Sequence, residues 1–235
     1  MGALIQLREG ATLLNFPRAA LSARSLVASA LKRHRLPEQL AETLLREMGA
    51  GDNPEMLLTA ALGKRMCALP IDFQKARGIL LLGPTGAGKS AVAAKILHIA
   101  ALIGRKIECA SAADGMALFR TATFESDALM VMEAPGFNPV NRRALSAFSA
   151  LGEADGVESI GVVSAASDAE DVAEIVGALR LKRIIVTGLD RTSRLGATVA
   201  AITGGARLAH VTYGPRPDDT LDMLAPELLA KMLLD

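Results

Sequence analysis

Lys89 and Ser90 close the stretch Gly83-Pro84-Thr85-Gly86-Ala87-Gly88, a combination of residue types suited to holding phosphate. Glycines at 83, 86 and 88 take backbone angles that other residues resist, so consecutive N–H groups can turn inward on phosphate oxygens. The apolar run Ile79–Leu82 ahead of the loop reads as a buried strand. Behind it, Ala91, Val92, Ala94, Ile96, Leu97, Ile99 and Ala100 begin a helical pattern. Strand, glycine-rich loop and helix in that order give the Gly-x4-Gly-Lys-Ser pattern the setting it requires. A helix starting near Gly88 aims its unsatisfied N–H groups and positive dipole end at the same anion. Lys89 adds a point charge toward β/γ-phosphates, and the Ser90 hydroxyl is a Mg²⁺ ligand by type. The plainer reading, a glycine turn with a surface lysine, leaves the match at every position and on both flanks unexplained.

Further chemistry is expected just after other strands, because ligands of an open parallel sheet sit beyond the carboxyl ends. Val131-Met132 runs into Glu133-Ala134-Pro135-Gly136. An acid there can hold Mg²⁺ through water, and Gly136 lets its N–H approach a γ-phosphate. Ile184-Ile185-Val186 runs into Thr187-Gly188-Leu189-Asp190. The Asp190 carboxylate can accept from the N1–H and the exocyclic amine of guanine, a pair that adenine does not offer. Gly214-Pro215-Arg216-Pro217 then forms a turn able to close over a base. Arg191 and Arg194 read as loop charges. A serine hydrolase is not supported, for Gly-x-Ser-x-Gly does not occur, and His34, His98 and His210 lack metal-ligand spacing. His98 reads as a partly buried filler on the helix.

The elements that must position these residues follow from periodicity. Residues 1–20 are weakly patterned. Residues 21–70 predict a small antiparallel helical domain: a first helix over Ser22–Leu36, a second opened by Pro37, and a third announced by Asn53-Pro54-Glu55. The basic group Lys32-Arg33-His34-Arg35 reads as a solvated helix end. Residues 71–235 alternate strands with helices, the mark of an α/β domain with a mostly parallel sheet. Beyond the loop, strands are expected at Lys106–Ala110, Ala128–Met132, Ser159–Val163, Arg183–Thr187 and Ala209–Tyr213. Helices are expected at 113–122, 139–151, 168–179, 193–204 and 218–234, the last docking back on the sheet or the bundle.

Composition sets outer limits. Hydrophobic residues make up 51% and charged ones 22%, enough for a sizeable core, while aromatics at 3% leave Leu, Val, Ile, Ala and Met to fill it. A net charge of +1 argues against nucleic-acid binding by bulk electrostatics. Cys67 and Cys109 lack paired or metal spacing and read as small buried hydrophobes in a reducing compartment. No apolar run reaches transmembrane length, and Arg8 and Glu9 spoil a signal peptide. A cytoplasmic protein is expected.

With these motifs in place, roughly residues 22–235 resemble the SRP-type GTPases, nearest to their flagellar branch. The resemblance rests on Gly-Pro-Thr-Gly-Ala-Gly-Lys-Ser and on Asp127–Gly136, which is similar to the strand bearing the family's Asp-Thr-Ala-Gly motif. It rests also on Ser164-Ala165-Ala166-Ser167, on Thr187-Gly188-Leu189-Asp190 with Ser193-Arg194-Leu195-Gly196-Ala197, and on Thr212–Asp219 as closing loop. It implies a P-loop NTPase fold, three-layer α/β/α, preceded by a small helical N domain. It implies GTP or GDP with Mg²⁺ held by Gly83–Ser90, Glu133, Gly136, Thr187, Asp190 and Gly214. A like domain as homodimeric or heterodimeric partner, with peripheral contact at the inner membrane, is implied too.

The departures from the family pattern bear on turnover. Glu133 replaces the Mg²⁺-linked aspartate, Ala134 the following threonine, and Gly188 the base-covering lysine. Ala110, Ser111, Ala112 and Ala113 occupy the places of an Asp-Thr-Tyr-Arg element, leaving Asp114 and Glu133 as the catalytic candidates. One strand and one helix fill the shortened span between Lys89 and Glu133. The expectation is a nucleotide-binding regulator with weak or no GTP hydrolysis. A non-enzymatic scaffold that keeps only the framework, and an ATP-using P-loop protein, are the competing readings.

Overall fold

The computed structural model describes residues 22–111, 114, 127–138, 156–179 and 181–235. The expected helices at 113–122 and 139–151, and the N-terminal segment 1–20, lie outside the described residues.

Helices α1 (Ala23–Arg33), α2 (Glu38–Glu47) and α3 (Pro54–Gly63) come first. Their starts are written locally. The Ser22 hydroxyl accepts the Ser25 N–H, and Asn53 Oδ1 accepts the Met56 N–H, with Pro54 in the first turn where a missing N–H costs nothing. Next come β1 (Gly78–Leu82), α4 (Lys89–Leu102), β2 (Ile107–Ser111), β3 (Leu129–Glu133) and β4 (Val157–Ser164). The chain continues through α5 (Ala169–Leu179), β5 (Arg183–Thr187), a 3-10 turn at Leu189–Arg191, α6 (Gly196–Thr203), β6 (Arg207–Thr212), β7 (Leu221–Asp222) and α7 (Pro226–Leu234).

The strands form one sheet in the order β2-β3-β1-β4-β5-β6-β7, parallel throughout except for β7. β1 lies between β3 and β4 and all five of its residues are buried. This two-sided burial explains its unbroken apolar run. Alternate residues serve opposite faces. Ile79, Leu81, Val131 and Val162 meet Val92 and Ile96 of α4, whereas Leu80, Leu82, Met132 and Val186 join α5, α6 and the helical bundle. Because β2 and β3 lie on one side of β1 and the strands from β4 onward on the other, the strand order reverses at the carboxyl end of β1. Ligands of such sheets sit at that crevice.

The structure corrects four expectations. The last helix starts at Pro226, not near 218, because residues 221 and 222 pair with Val211 and Thr212 as an antiparallel edge strand. Cys67 and Cys109 are exposed, Cys109 on the edge strand β2. His98 is exposed on α4. The basic end of α1 is only partly solvated, since Arg33 donates to the carbonyls of Leu233 and Leu234 at 3.0 and 3.2 Å, and His34 is buried.

His34 joins three elements. Its Nε2–H donates to Leu233 O at 3.0 Å, its Nδ1 accepts the Leu195 N–H at 3.2 Å, and its carbonyl accepts the Gly196 N–H at 3.0 Å. His210, stacked on Phe73, accepts the Ile71 N–H on Nε2 at 3.2 Å. Burial is the main cause that holds both pKa values below the ordinary imidazole range. The unfolded chain takes up protons near pH 6.5 and the folded one only below that. The unfolded state therefore binds more protons in this window, and stability is full well above about pH 6.5 and falls as pH drops through that value. Urea midpoints should decline between about pH 7.5 and pH 5.5. The doubly substituted His34→Gln, His210→Gln chain should decline less; an equal slope in both contradicts the assignment.

Candidate phosphate-binding site

Where β1 ends, the backbone leaves no room for a side chain at residue 83. A Cβ on Gly83 would stand 2.2 Å from the Val162 carbonyl oxygen of the adjoining strand β4. Gly86 and Gly88 follow with φ of +79° and +91°, so the loop curls instead of running straight. Gly88 is also the N-cap of α4, whose first turn faces the curl. Lys89 is mostly buried, its ammonium donating to the Gly83 and Pro84 carbonyls at 2.9 Å each. Burial presses its pKa down, against the pull of the Glu133 charge. The Ser90 hydroxyl donates to Glu133 Oε2 at 2.7 Å. Ala87, buried in the same loop, offers its carbonyl to the Thr187 hydroxyl at 2.7 Å. Thr187 is therefore a strut under the loop.

The segment after β3 lies along the loop. The Thr85 N–H donates to the Phe137 carbonyl at 3.3 Å, Pro84 and Phe137 form a parallel bridge, and Phe137 is buried. Gly136 is required there, because a Cβ would come within 2.5 Å of Thr85 Oγ1 and 2.8 Å of its Cα. Gly83 to Ser90, Glu133, Gly136 and Thr187 thus meet at one edge of the sheet.

Asp190 and Gly214 form a second group. The Gly214 N–H donates to Asp190 Oδ1 at 2.9 Å, and the Gly188 N–H to the Thr212 hydroxyl at 3.2 Å, joining the turns after β5 and β6. Asp114 belongs to neither group. Its carboxylate accepts the Ser111 hydroxyl at 2.7 Å. Ser111 sits in register with Glu133, so Asp114 is one strand away from the Ser90–Glu133 pair. Ala112 and Ala113 are outside the described residues.

The sequence reading passed over Lys95. On α4, 1% exposed, it sends its ammonium to the Arg216 and Asp219 carbonyls at 2.5 and 3.0 Å, with Asp219 Oδ2 at 3.7 Å. The available signal was a lysine at a position where helical spacing from Val92 and Ala91 calls for an apolar residue.

The residues fit Mg²⁺ by the chemistry of their donors. Ser90 and Glu133 supply hard oxygen atoms in contact, and among the described residues no group of three or more His, Cys, Asp or Glu side chains could hold a metal. One carboxylate and one hydroxyl suit an ion carried in largely by substrate phosphates, as Mg²⁺ is, and not an all-protein cage.

Comparison with solved structures sorts the fold. FlhF complexed with GTP/Mg²⁺ matches with a TM-score of 0.67 and 19% identity, over 91% of this chain and 100% of that one. FtsY from Thermotoga maritima matches with a TM-score of 0.72 and 16% identity, over 90% and 88%. The signal recognition particle receptor FtsY from Elizabethkingia anophelis, in complex with GDP, gives 0.66 and 14%, over 91% and 84%. The chain has the fold of FlhF and FtsY. No family model and no curated protein matches the sequence. The likeness of fold thus extends over about nine-tenths of the chain.

Proposed function

We propose that the chain is an SRP-type GTP-binding protein that takes GTP or GDP with Mg²⁺ and acts as a nucleotide-dependent regulator of protein targeting or flagellar assembly. One observation carries this reading. The curled loop with Lys89 and the Ser90–Glu133 pair is joined through Thr187 to the turn that holds Asp190 against Gly214. In this reading a phosphate end and a base end are tied together at the carboxyl end of β5. The solved neighbours that carry GTP/Mg²⁺ and GDP in their own crystals support the choice of nucleotide.

In this reading the loop amides and the ammonium of Lys89 bind phosphate, with Lys89 exchanging its present carbonyl acceptors for phosphate oxygens. Ser90 and Glu133 would hold Mg²⁺, which when bound neutralises charge on the β- and γ-oxygens. Asp190 spends one lone pair on Gly214 and retains acceptor capacity for a guanine edge. Hydrolysis is weakened because the groups that orient water are replaced. Ala134 is buried, its N–H donating to Leu81 O at 3.0 Å, and Ala110 and Ser111 bring no acid or guanidinium. Loss of such a group costs about 10³-fold in rate. A second like domain, meeting it nucleotide face to nucleotide face, is the partner that the reading assigns, at the cytoplasmic side of the inner membrane. Among the described residues no helix is long and apolar enough to cross a membrane.

Titration with a fluorescent GTP analogue and Mg²⁺, followed by single-turnover hydrolysis of radiolabelled GTP, tests both halves. The expected result is saturable binding displaced by GDP in preference to ADP, with turnover at least about 10³-fold below that of an SRP-type GTPase assayed in parallel. Absence of binding at tens of micromolar favours the scaffold reading, and displacement by ATP in preference to GTP favours the ATP-using one.

A further inference from the structure

We propose that Lys95 is the positioning residue through which the phosphate helix holds the base-closing loop and so sets selectivity for guanine; this rests on the nucleotide reading above. Lys95 lies on α4, one and a half turns beyond Ser90, and its ammonium is sealed from solvent. All three of its acceptors belong to one loop: the Arg216 carbonyl, the Asp219 carbonyl and the Asp219 carboxylate. A buried ammonium deprived of partners is costly, so this cation obliges the loop to stay where it is.

The loop passes that constraint on by direct contact. Asp219 Oδ2 accepts the Arg216 N–H at 2.7 Å and fills the space beside Gly214, 2.5 Å from where a Cβ would stand. Gly214, held at φ +77° in that tight place, gives its N–H to Asp190 Oδ1. Lys95, Asp219, Gly214 and Asp190 are thus a chain of touching groups running from the phosphate helix to the carboxylate that would read the base. The family's base-covering lysine is Gly188 here, and Gly188 brings no side chain to the task. Orientation of Asp190 then depends on the turn after β6, and that turn depends on Lys95.

The test uses the full chain, with Lys95→Met and Asp219→Asn. Two readouts are taken: hydrogen exchange of the amides of residues 214–219 without nucleotide, and competition of a fluorescent GTP analogue by GTP, ITP, ATP and tripolyphosphate. Expected in Lys95→Met are lost protection at Gly214 and Asp219, a GTP-over-ATP preference reduced by about tenfold or more, and tripolyphosphate competition changed less than about threefold. Should Lys95→Met not fold, Asp219→Asn leaves the cation its two carbonyls and is expected to lower the same preference. Unchanged loop protection overturns the proposal whatever the nucleotide result. An equal loss for GTP, ATP and tripolyphosphate overturns it too, as that marks a merely structural lysine. If the wild-type chain binds no nucleotide while Lys95→Met loses loop protection, the nucleotide reading fails and takes the selectivity claim with it.

Discussion

A single methyl group at residue 83 is expected to cost about 3 kcal/mol of folding stability and to reduce nucleotide affinity at least about 100-fold. The Cβ of Gly83→Ala would lie 2.2 Å from the Val162 carbonyl oxygen and 3.2 Å from its carbon. That carbonyl belongs to β4, paired on one side with β1 and on the other with β5. It cannot retreat without breaking a ladder in the centre of the sheet, so the loop must move instead. Moving it drags the carbonyl that Lys89 touches and tilts the amides of the curl away from their common focus. Gly86→Ala makes the informative contrast. Nothing lies within 4 Å of a Cβ there, but φ is +79°. The cost is then only the backbone strain of about 1 kcal/mol. Urea denaturation and analogue titration of both variants check the pair. Affinity in Gly83→Ala within about fivefold of wild type refutes the steric argument.

Gly196→Ala is expected to be nearly as damaging, at about 2–4 kcal/mol, by another route. Its Cβ would meet the His34 carbonyl oxygen at 2.5 Å and the Arg35 carbonyl oxygen at 2.7 Å. Both obstacles are backbone at the end of α1, and the Gly196 N–H already donates to the first of them. The substitution therefore forces the helical bundle away from the loop that begins with Asp190. It also strains the hydrogen bonds of the His34 ring to Leu195 and Leu233. Amide exchange should rise in α1 and α7 before it rises in β1, β4 and β5. Uniform exchange across the chain, or a melting temperature within about 2 °C of wild type, contradicts a local clash at this seam.

Much of this architecture was legible from residue order. Parallel strands buried on both faces write themselves as apolar runs. Ile79–Leu82 and Arg183–Thr187 were placed within a residue for that reason. The loop was legible because curling a backbone around an anion demands glycine at fixed offsets. Local chemistry also gave Asn53 as a cap and Pro54 as a helix start. What escaped depends on partners far along the chain. Lys95 has no acceptor near it in sequence, and its partners Arg216 and Asp219 lie 121 and 124 positions away. His34 sits in a basic run that reads as surface, yet Leu195 and Leu233 bury it. The support that the Thr187 hydroxyl gives to Ala87 likewise joins residues 100 positions apart. Cys109 reads as a small buried hydrophobe, and the position of β2 at the sheet edge leaves it exposed.

Helix α7 packs against α1 and α3, at the far end of the described chain from both. The helical layer is consequently a composite of two segments with the entire sheet threaded between them. Cutting at the natural-looking border near Pro70 would yield a bundle short of one wall, with Arg33 and His34 deprived of the Leu233 carbonyl. Any attempt to study the two layers apart would need a circular permutant that grafts residues 226–234 onto the front of α1.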